Sequence, residues 1–330
     1  MYAIGVDIGG TKCAVCLGKA RGDTLRVVHK CELRKTAEYP PAEMLEALLA
    51  DVRECRSRIP ARETVIGTGI SCGNPLDSRA GVILSPPNLP GWDRIEVVDW
   101  FRSGTGLPAW LCNDANAGAL AEWRYGAGRG CEHLIFLTFG TGFGAGLILN
   151  GRLYAGASDA AGETGHVRAA AHGPVGYGKI GSYEAFCSGG GIAQIARTYA
   201  LRDIQNGKPS ALCPDVAGLE SLTAESTARV AREGNPTAKE VFELSGAEFG
   251  RALSMLIDLF NPQRIVVGGI FSRCRDLIWP AAERVIAEEA LPDSRKACTV
   301  LPCALSESIG DMAALSVAVY YWEHGGEGKR

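Results

Sequence analysis

Apolar residues run almost unbroken through "MYAIGVDI" and stop at Gly9 and Gly10. A run this short, closed by a glycine pair, predicts a buried strand. "KCAVCLGKA" reads as its hairpin partner and "LRVVHKCEL" as a third strand. The period then changes: "PAEMLEALLADVRECRS" carries apolar residues at helical spacing behind a proline start. "TVIGTGISCG" predicts another strand, and "GVILSPPNLPGW" a strand followed by a Pro-rich loop. "IEVVDWFRSGTG" predicts a helix, and "PAWLCNDANAGALAEWRYG" a short strand feeding a second helix.

The pattern then begins again. "HLIFLTFGTGFGAGLILNGRLYAG" is apolar strand, glycine turn and apolar strand, which points to two α/β halves of related design. "AKEVFELSGAEFGRALSMLIDLFNPQ" predicts a long amphipathic helix ended by Asn-Pro. "RIVVGGIFS" predicts a strand that stops at paired glycines, and "IGDMAALSVAVYYWEHG" a closing helix. The polar, Gly-rich tail "GGEGKR" is expected to fray.

Composition narrows the class. The chain has 330 residues, enough for two domains, and is 46% hydrophobic. Its net charge of −3 is spread without a basic block, which argues against a nucleic-acid or anionic-membrane partner. No apolar run reaches membrane-spanning length, and the N-terminus lacks the pattern of a secretory leader, so a cytoplasmic protein is expected. The 12 cysteines are irregularly spaced, which suits reduced thiols better than a disulfide framework. Cys13 and Cys16 have CxxC spacing but lie in a predicted strand, where residues three apart point to opposite faces.

A strand ending in Gly9-Gly10-Thr11-Lys12 exposes backbone N–H groups with almost no side-chain bulk, so it can approach phosphate oxygens closely. Asp7 is placed to hold a hydrated Mg²⁺ beside those phosphates, while Thr11 and Lys12 add a hydroxyl and a charge. The turn is not a P-loop, and a plain hairpin with a solubilising lysine explains it as well. A second turn, "FGTGFGAG", shifts that balance: Gly140, Thr141, Gly142, Gly144 and Gly146 again join two apolar runs. Gly268 and Gly269 end a strand where a base and ribose could lie on bare backbone, or where a strand simply turns into a helix. Asp114 stands where a strand turns into a helix; its carboxylate can accept a proton from an attacking hydroxyl or can cap the helix. Glu163 and His166, in "GETGHV", can bind vicinal hydroxyls with directional hydrogen bonds.

Taken together, "VDIGGTK", "NDANAGALAE", "FGTGFGAGLI", "AGETGHV" and "IVVGGI" resemble, in order and spacing, the ROK family of sugar kinases from Ile4 to about Ala318. The resemblance implies a two-domain α/β actin-like ATPase (ribonuclease H-like) fold with ATP and sugar meeting in the interdomain cleft. It implies Asp114 as the base, Asn113 as a sugar contact, and Glu163, His166 and Glu184 facing the sugar. Gly73 and Asn88 fall in loops that line the sugar pocket in relatives. ATP with Mg²⁺ is the implied phosphoryl donor, a hexose the acceptor, a homodimer the usual assembly. The domains implied are 1–113 with 309–330, and 114–308. The closing helix is expected to return to the first domain.

One departure stands out. Many relatives follow the ExGH element with C-x-C-G-x-x-G-C-x-E, whose three thiolates and the histidine bind zinc. Here those positions are Val175, Tyr177 and Ser182, and Cys187 with one histidine cannot build a four-ligand site, so no structural zinc is expected. Contacts of Tyr177 and Tyr183 are expected to hold the loop, and His172 is read as a surface residue.

The leading expectation is transfer of phosphate to the 6-hydroxyl of a hexose, glucose first. An N-acetylhexosamine, fructose or a β-glucoside stand as alternatives. A sugar-responsive ROK regulator without turnover is the alternative of another class; the chain opens on the phosphate strand, with no helix-turn-helix ahead of it.

Overall fold

The first strand, β1 (Tyr2–Ile8), is buried on both sides because it pairs centrally: antiparallel to β2 (Lys12–Arg21) and parallel to β5 (Val65–Cys72). In this computed structural model residues 1–208 and 211–325 are described, so the expected fraying of 326–330 lies outside the described residues. In chain order the first stretch also contains β3 (Thr24–Lys30), β4 (Arg34–Lys35), α1 (Pro41–Ser57), β6 (Leu76–Asp77), β7 (Val82–Ile83), α2 (Val97–Thr105), β8 (Ala109–Asn113) and α3 (Asp114–Tyr125). There follow β9 (Leu134–Phe139), β10 (Phe143–Leu149), β11 (Arg152–Tyr154), β12 (Val175–Gly176), β13 (Lys179–Ile180), α4 (Tyr183–Phe186), α5 (Gly189–Gln205), α6 (Ala224–Arg232) and α7 (Pro236–Phe260). β14 (Arg264–Val267), α8 (Ile270–Glu289), α9 (Pro292–Ala297), β15 (Thr299–Pro302) and α10 (Ile309–Glu323) complete the chain.

By contacts the chain divides into two units. The first holds Met1–Glu132, Gly146–Ala161 and the chain from Ala304 on; the second holds His133–Ala145 and Gly162–Cys303. α10 thus lies with the N-terminal strands, and α3 with them, whereas the expected division at 113/114 had put α3 in the second domain.

In the first unit the sheet order is β3-β2-β1-β5-β8, with β4 beside β2. The two-residue alternation of β1 sorts its side chains. Ile4, Val6 and Ile8 join Met44, Leu48 and Val52 of α1 in one core, where truncating Leu48 to alanine would cost about 2–5 kcal/mol. The opposite face is floored with glycine so that α10 can lie close. A Cβ on Gly69 would sit 2.1 Å from Ala314 O, and one on Gly5 3.1 Å from Ala314 Cβ. Asp7 shares the Gly5 side, and a Cβ built on Gly310, at the start of α10, would lie 3.1 Å from its Oδ2. The same alternation separates the CxxC pair: Cys13 Sγ lies 3.6 Å from Thr36 Oγ1, while Cys16 Sγ approaches Asp311 O at 3.8 Å.

In the second unit β14 runs parallel to β9 and to β15. α7 starts at the Asn235 cap, whose Oδ1 accepts from Ala238 N at 2.9 Å, and has Pro236 in its first turn. It ends at Asn261, which takes the left-handed conformation (φ 43°) ahead of Pro262, as the Asn-Pro signal predicts. Phe139, Phe143, Phe249 and Phe271 form an aromatic cluster, with Phe249 5.4 Å from both Phe139 and Phe271.

One reading needs correction. The strand expected in "GVILS" shrinks to the two residues of β7, because Ser85 turns the backbone to φ 58° and Pro86-Pro87 follow. After the glycine pair 268–269 the strand turns into a helix, as one of the two readings of that pair had it: the 20-residue α8, bent at Cys274 and carrying Pro280. Among the described residues no helix is long and apolar enough to cross a membrane.

Candidate active site

In the first unit the β1–β2 connection is a tight turn, closed by Gly9 N donating to Lys12 O at 3.0 Å. Thr36 Oγ1 donates to Gly9 O at 2.6 Å and fixes the turn from behind. Thr11 and Lys12 are exposed at its tip. Gly10 has no room for a side chain, since a Cβ there would meet Asn88 O at 2.7 Å and Asn88 Cβ at 2.8 Å. Asn88 therefore lies directly against the turn. A Cβ built on Gly73 would lie 3.7 Å from both amide atoms of Asn88 and 4.0 Å from Asp114 Oδ2. Gly10, Gly73, Asn88 and Asp114, from four separate segments, are brought to one place.

The α3 terminus resolves the ambiguity over capping. Asn113, not Asp114, is the N-cap: its Oδ1 accepts from Ala115 N at 3.0 Å and Asn116 N at 3.3 Å. Asn113 is nearly buried, whereas Asp114 is exposed in the first turn, its Oδ1 accepting from Ala115 N at 2.7 Å. A carboxylate in the first turn of a helix is favoured by the positive end of the helix dipole.

Asp7 is half-buried, and its carboxyl is raised from 3.8 to about 6. Burial is the main cause; the negative charges of Asp114 and Asp311 add to it, and Lys12 and a hydrogen bond with Ser71 oppose it. A divalent cation beside Asp7 would relieve this crowding, and hard carboxylate oxygens are what Mg²⁺ takes. Asp311 itself pairs with Lys30. Neither Asp311 nor Ser71 was picked out from the sequence, because their nearness to Asp7 arises only when α10 and β5 close on β1.

In the second unit the other glycine turn is built the same way, with Gly140 N donating to Gly142 O at 3.0 Å. Thr141 is exposed at its tip. Gly144 N donates to Thr138 Oγ1 at 3.0 Å across the strand ends. Gly269 (φ 72°) rests on this turn, since a Cβ there would lie 2.2 Å from Phe139 O; beside it Gly268 ends β14. Gly189 N donates to Gly140 O at 2.9 Å, which brings the start of α5 alongside. Cβ atoms on Gly140 and Gly190 would meet nothing within 4 Å, so bare backbone faces open space there, a surface suited to phosphate or nucleoside. The run Ser188-Gly189-Gly190-Gly191, capped by Ser188 Oγ accepting from Gly191 N at 3.0 Å, was not singled out in the sequence. Its triple glycine was the available signal.

Glu163 caps a single 3₁₀ turn, Thr164–His166, and both Glu163 and His166 are exposed. Gly165 makes the turn possible, since a Cβ there would lie 2.0 Å from Phe143 O. Glu184, in α4, ties these pieces together: its Oε2 accepts from Phe143 N at 3.1 Å, and a Cβ on Gly142 would lie 2.9 Å from that oxygen. Glycine turn, ExGH element and Glu184 are thus neighbours.

At the positions where relatives carry zinc-binding cysteines, this chain forms the β12–β13 hairpin. Lys179 Nζ donates to His166 O at 2.6 Å, Gln194 exchanges hydrogen bonds with Val175 (2.9 and 2.8 Å), and Ser182 Oγ caps α4 through Ala185 N. Tyr183 is buried, while Tyr177 is exposed and touches the His166 ring edge-on at 6.1 Å. Polar bonds from Lys179 and Gln194 therefore hold the loop along with those rings, and Cys187 is buried beneath it, its Sγ 3.9 Å from Ser245 O. His172 is exposed.

The glucokinase of Thermotoga maritima is 29% identical over 316 residues, 95% of this chain and 96% of its own. The N-acetylmannosamine kinase of Salmonella typhi is 32% identical over 271 residues, 82% of this chain and 83% of its own. The solved ROK family glucokinase from Streptomyces griseus, in complex with glucose and AMPPNP, matches with a TM-score of 0.75 at 28% identity over 97% of this chain and 99% of that one. A solved ROK family transcriptional regulator, a homolog of the E. coli MLC protein, gives 0.82 at 24% identity over 98% and 79%, a likeness of fold. The α/β arrangement is the two-domain actin-like ATPase fold of these kinases. With 3–321 matching the family's pattern, the chain belongs to the ROK family.

Proposed function

We propose that the chain phosphorylates the 6-hydroxyl of a hexose with ATP, with glucose as the leading substrate and Asp114 as the base. The class of activity, an ATP-dependent sugar kinase with an alcohol acceptor, rests on kinase relatives that match nearly the whole chain. The assignment of roles rests on one observation: Asn113 performs the capping, which leaves the Asp114 carboxylate exposed beside Asn88 and Gly73.

In the proposed reaction Asn88, Asn113, Glu163, His166 and Glu184 bind the sugar hydroxyls, with Gly73 keeping the adjacent surface low. Asp114 takes the proton of the primary hydroxyl as its oxygen bonds to the γ-phosphorus and the bond from phosphorus to the β,γ-bridging oxygen breaks, releasing ADP. Backbone N–H groups of the turns 9–12 and 140–144 hold the phosphates, Thr11, Lys12 and Thr141 add side-chain contacts, and Gly268 and Gly269 receive the nucleoside. Asp7 would hold a Mg²⁺ ion, which would supply neutralisation of phosphate charge. We further propose a homodimer, and no structural zinc in the 173–184 loop, because Val175, Tyr177 and Ser182 supply no thiolate.

Glucose and N-acetylmannosamine kinases both stand among the relatives, so the hexose is read from assay. A coupled ADP-release panel over glucose, N-acetylglucosamine, N-acetylmannosamine, fructose, allose and cellobiose tests the reading. Turnover on glucose above all others is the expected result. Preference for an N-acetylhexosamine would move the substrate assignment, and sugar binding without turnover on any of them would favour the regulator reading.

A further inference from the structure

Away from the glycine turns, three metal-ligating side chains of the first unit converge, with a second thiol, Cys55, behind one of them. His29 lies near the end of β3, the edge strand of its sheet, and Cys31 follows just past that end. Glu54 and Cys55 come from the last turns of α1. His29 Nε2 lies 3.1 Å from Glu54 Oε1, and Cys31 Sγ lies 3.6 Å from Cys55 Sγ. One donor atom from each of His29, Cys31 and Glu54 lies within 4.8 Å of the other two.

The donors of His29, Cys31 and Glu54 are close enough together to share one small ion, whereas Cys55 Sγ is near Cys31 alone and lies outside that group. In a tetrahedral zinc site, Zn–N and Zn–O bonds of roughly 2.0–2.1 Å put nitrogen and oxygen about 3.3 Å apart. A disulfide between Cys31 and Cys55 would need the sulfurs at about 2.05 Å. A thiol, an imidazole and a carboxylate make a borderline donor set that selects zinc over Mg²⁺ or Ca²⁺.

We propose that His29, Cys31 and Glu54 form a zinc site, its fourth position open to water, that staples the sheet edge at the end of β3 to the C-terminal end of α1. Cys55 is fully buried, His29 and Cys31 are half-buried, and Glu54 is exposed, so the ion has a route in from solvent on the Glu54 side. The Cys31 backbone is already fixed, its N–H donating to Val15 O at 2.9 Å, which keeps that ligand in place before the metal arrives. Arg58 competes: its Nε and Nη2 donate to Glu54 Oε1 at 3.2 and 2.8 Å and must yield that oxygen. Binding one Zn²⁺ as a Zn–S bond forms at Cys31 releases the proton of that thiol to solvent.

The test titrates the full chain, reduced and stripped of metal, with Co²⁺ and then Zn²⁺. One equivalent of Co²⁺ should give a sulfur-to-cobalt charge-transfer band that Zn²⁺ abolishes. Cys31→Ser and His29→Gln should each weaken binding at least as much as the roughly 10–100-fold that losing a supporting group costs elsewhere. Zinc should raise the melting temperature of the parent and leave that of Cys31→Ser unchanged. Because Cys31→Ser touches no residue placed in the kinase site, its turnover in chelator should match the parent and so report an intact fold. The absence of a charge-transfer band, or a band that persists in Cys31→Ser, would overturn the proposal. So would loss of two hydrogens by mass without metal binding, which would make the Cys31–Cys55 pair a disulfide.

Discussion

Replacing Asp7 with asparagine should stabilise the protein in the absence of nucleotide and metal while abolishing its chemistry. Asp7→Asn keeps the shape and hydrogen-bonding reach of the side chain but removes a charge that burial, Asp114 and Asp311 all disfavour. Carrying a carboxyl from 3.8 to about 6 makes its ionised form costlier in the fold, by about 3 kcal/mol as an upper figure at about 1.4 kcal/mol per pH unit. The partial exposure of Asp7 lowers this, so about 1–3 kcal/mol is expected. The sign follows from proton binding. Between the two pKa values the folded state holds the proton more tightly, so the parent loses stability as pH rises from about 4 to about 6, and the penalty is then constant. The assay is thermal unfolding of parent and Asp7→Asn in chelator at about pH 8 and about pH 4. A variant that melts several degrees higher at the alkaline pH and nearly level at the acid one supports the crowded carboxylate. Equal melting at both, or a pH-independent difference, would refute it.

Other perturbations separate the parts of the site. Gly10→Ala drives a methyl into the Asn88 backbone at 2.7 Å, so the Michaelis constants for both ATP and sugar should rise, read in a two-substrate assay. Gly269→Ala adds a Cβ 2.2 Å from Phe139 O at a φ of 72°, and should lose about 1–3 kcal/mol of stability with weaker nucleotide binding, measured by melting with and without ADP. Glu184→Ala removes the acceptor of Phe143 N and should weaken sugar binding in calorimetry, whereas Glu184→Gln, which can still accept that bond, should recover part of it.

Much of this arrangement could be read from the chain because its signals are local. Strand, glycine turn and strand are contiguous in "AIGVDIGGTKCAVC", and the turn at Gly9–Lys12 forms there; α7 stops at Asn261-Pro262 as its punctuation predicts. What the sequence left hidden depends on long-range approach. Asp311 reaches Asp7 only because glycines at 5 and 69 let α10 lie on the sheet, and no periodicity announces that. Whether Asn113 or Asp114 caps α3 is undecided by composition, since both are good caps, and the choice falls to backbone geometry at Asn113. A strand-to-helix turn at Gly268–Gly269 was legible, but the length of α8 was not, because charges and Pro280 interrupt its apolar face. His29 and Glu54 lie 25 residues apart, and Cys31 and Cys55 24, joined only by the fold.

The central claim is that one exposed carboxylate, Asp114, draws the proton from a sugar alcohol during phosphoryl transfer. Rapid-quench single turnover with γ-labelled ATP and the preferred hexose, run for the parent and Asp114→Asn, tests it most directly. The account predicts that labelled sugar phosphate forms at least about 10²-fold more slowly in the variant, while the sugar dissociation constant stays within a few-fold. Transfer at the parental rate by Asp114→Asn would contradict it.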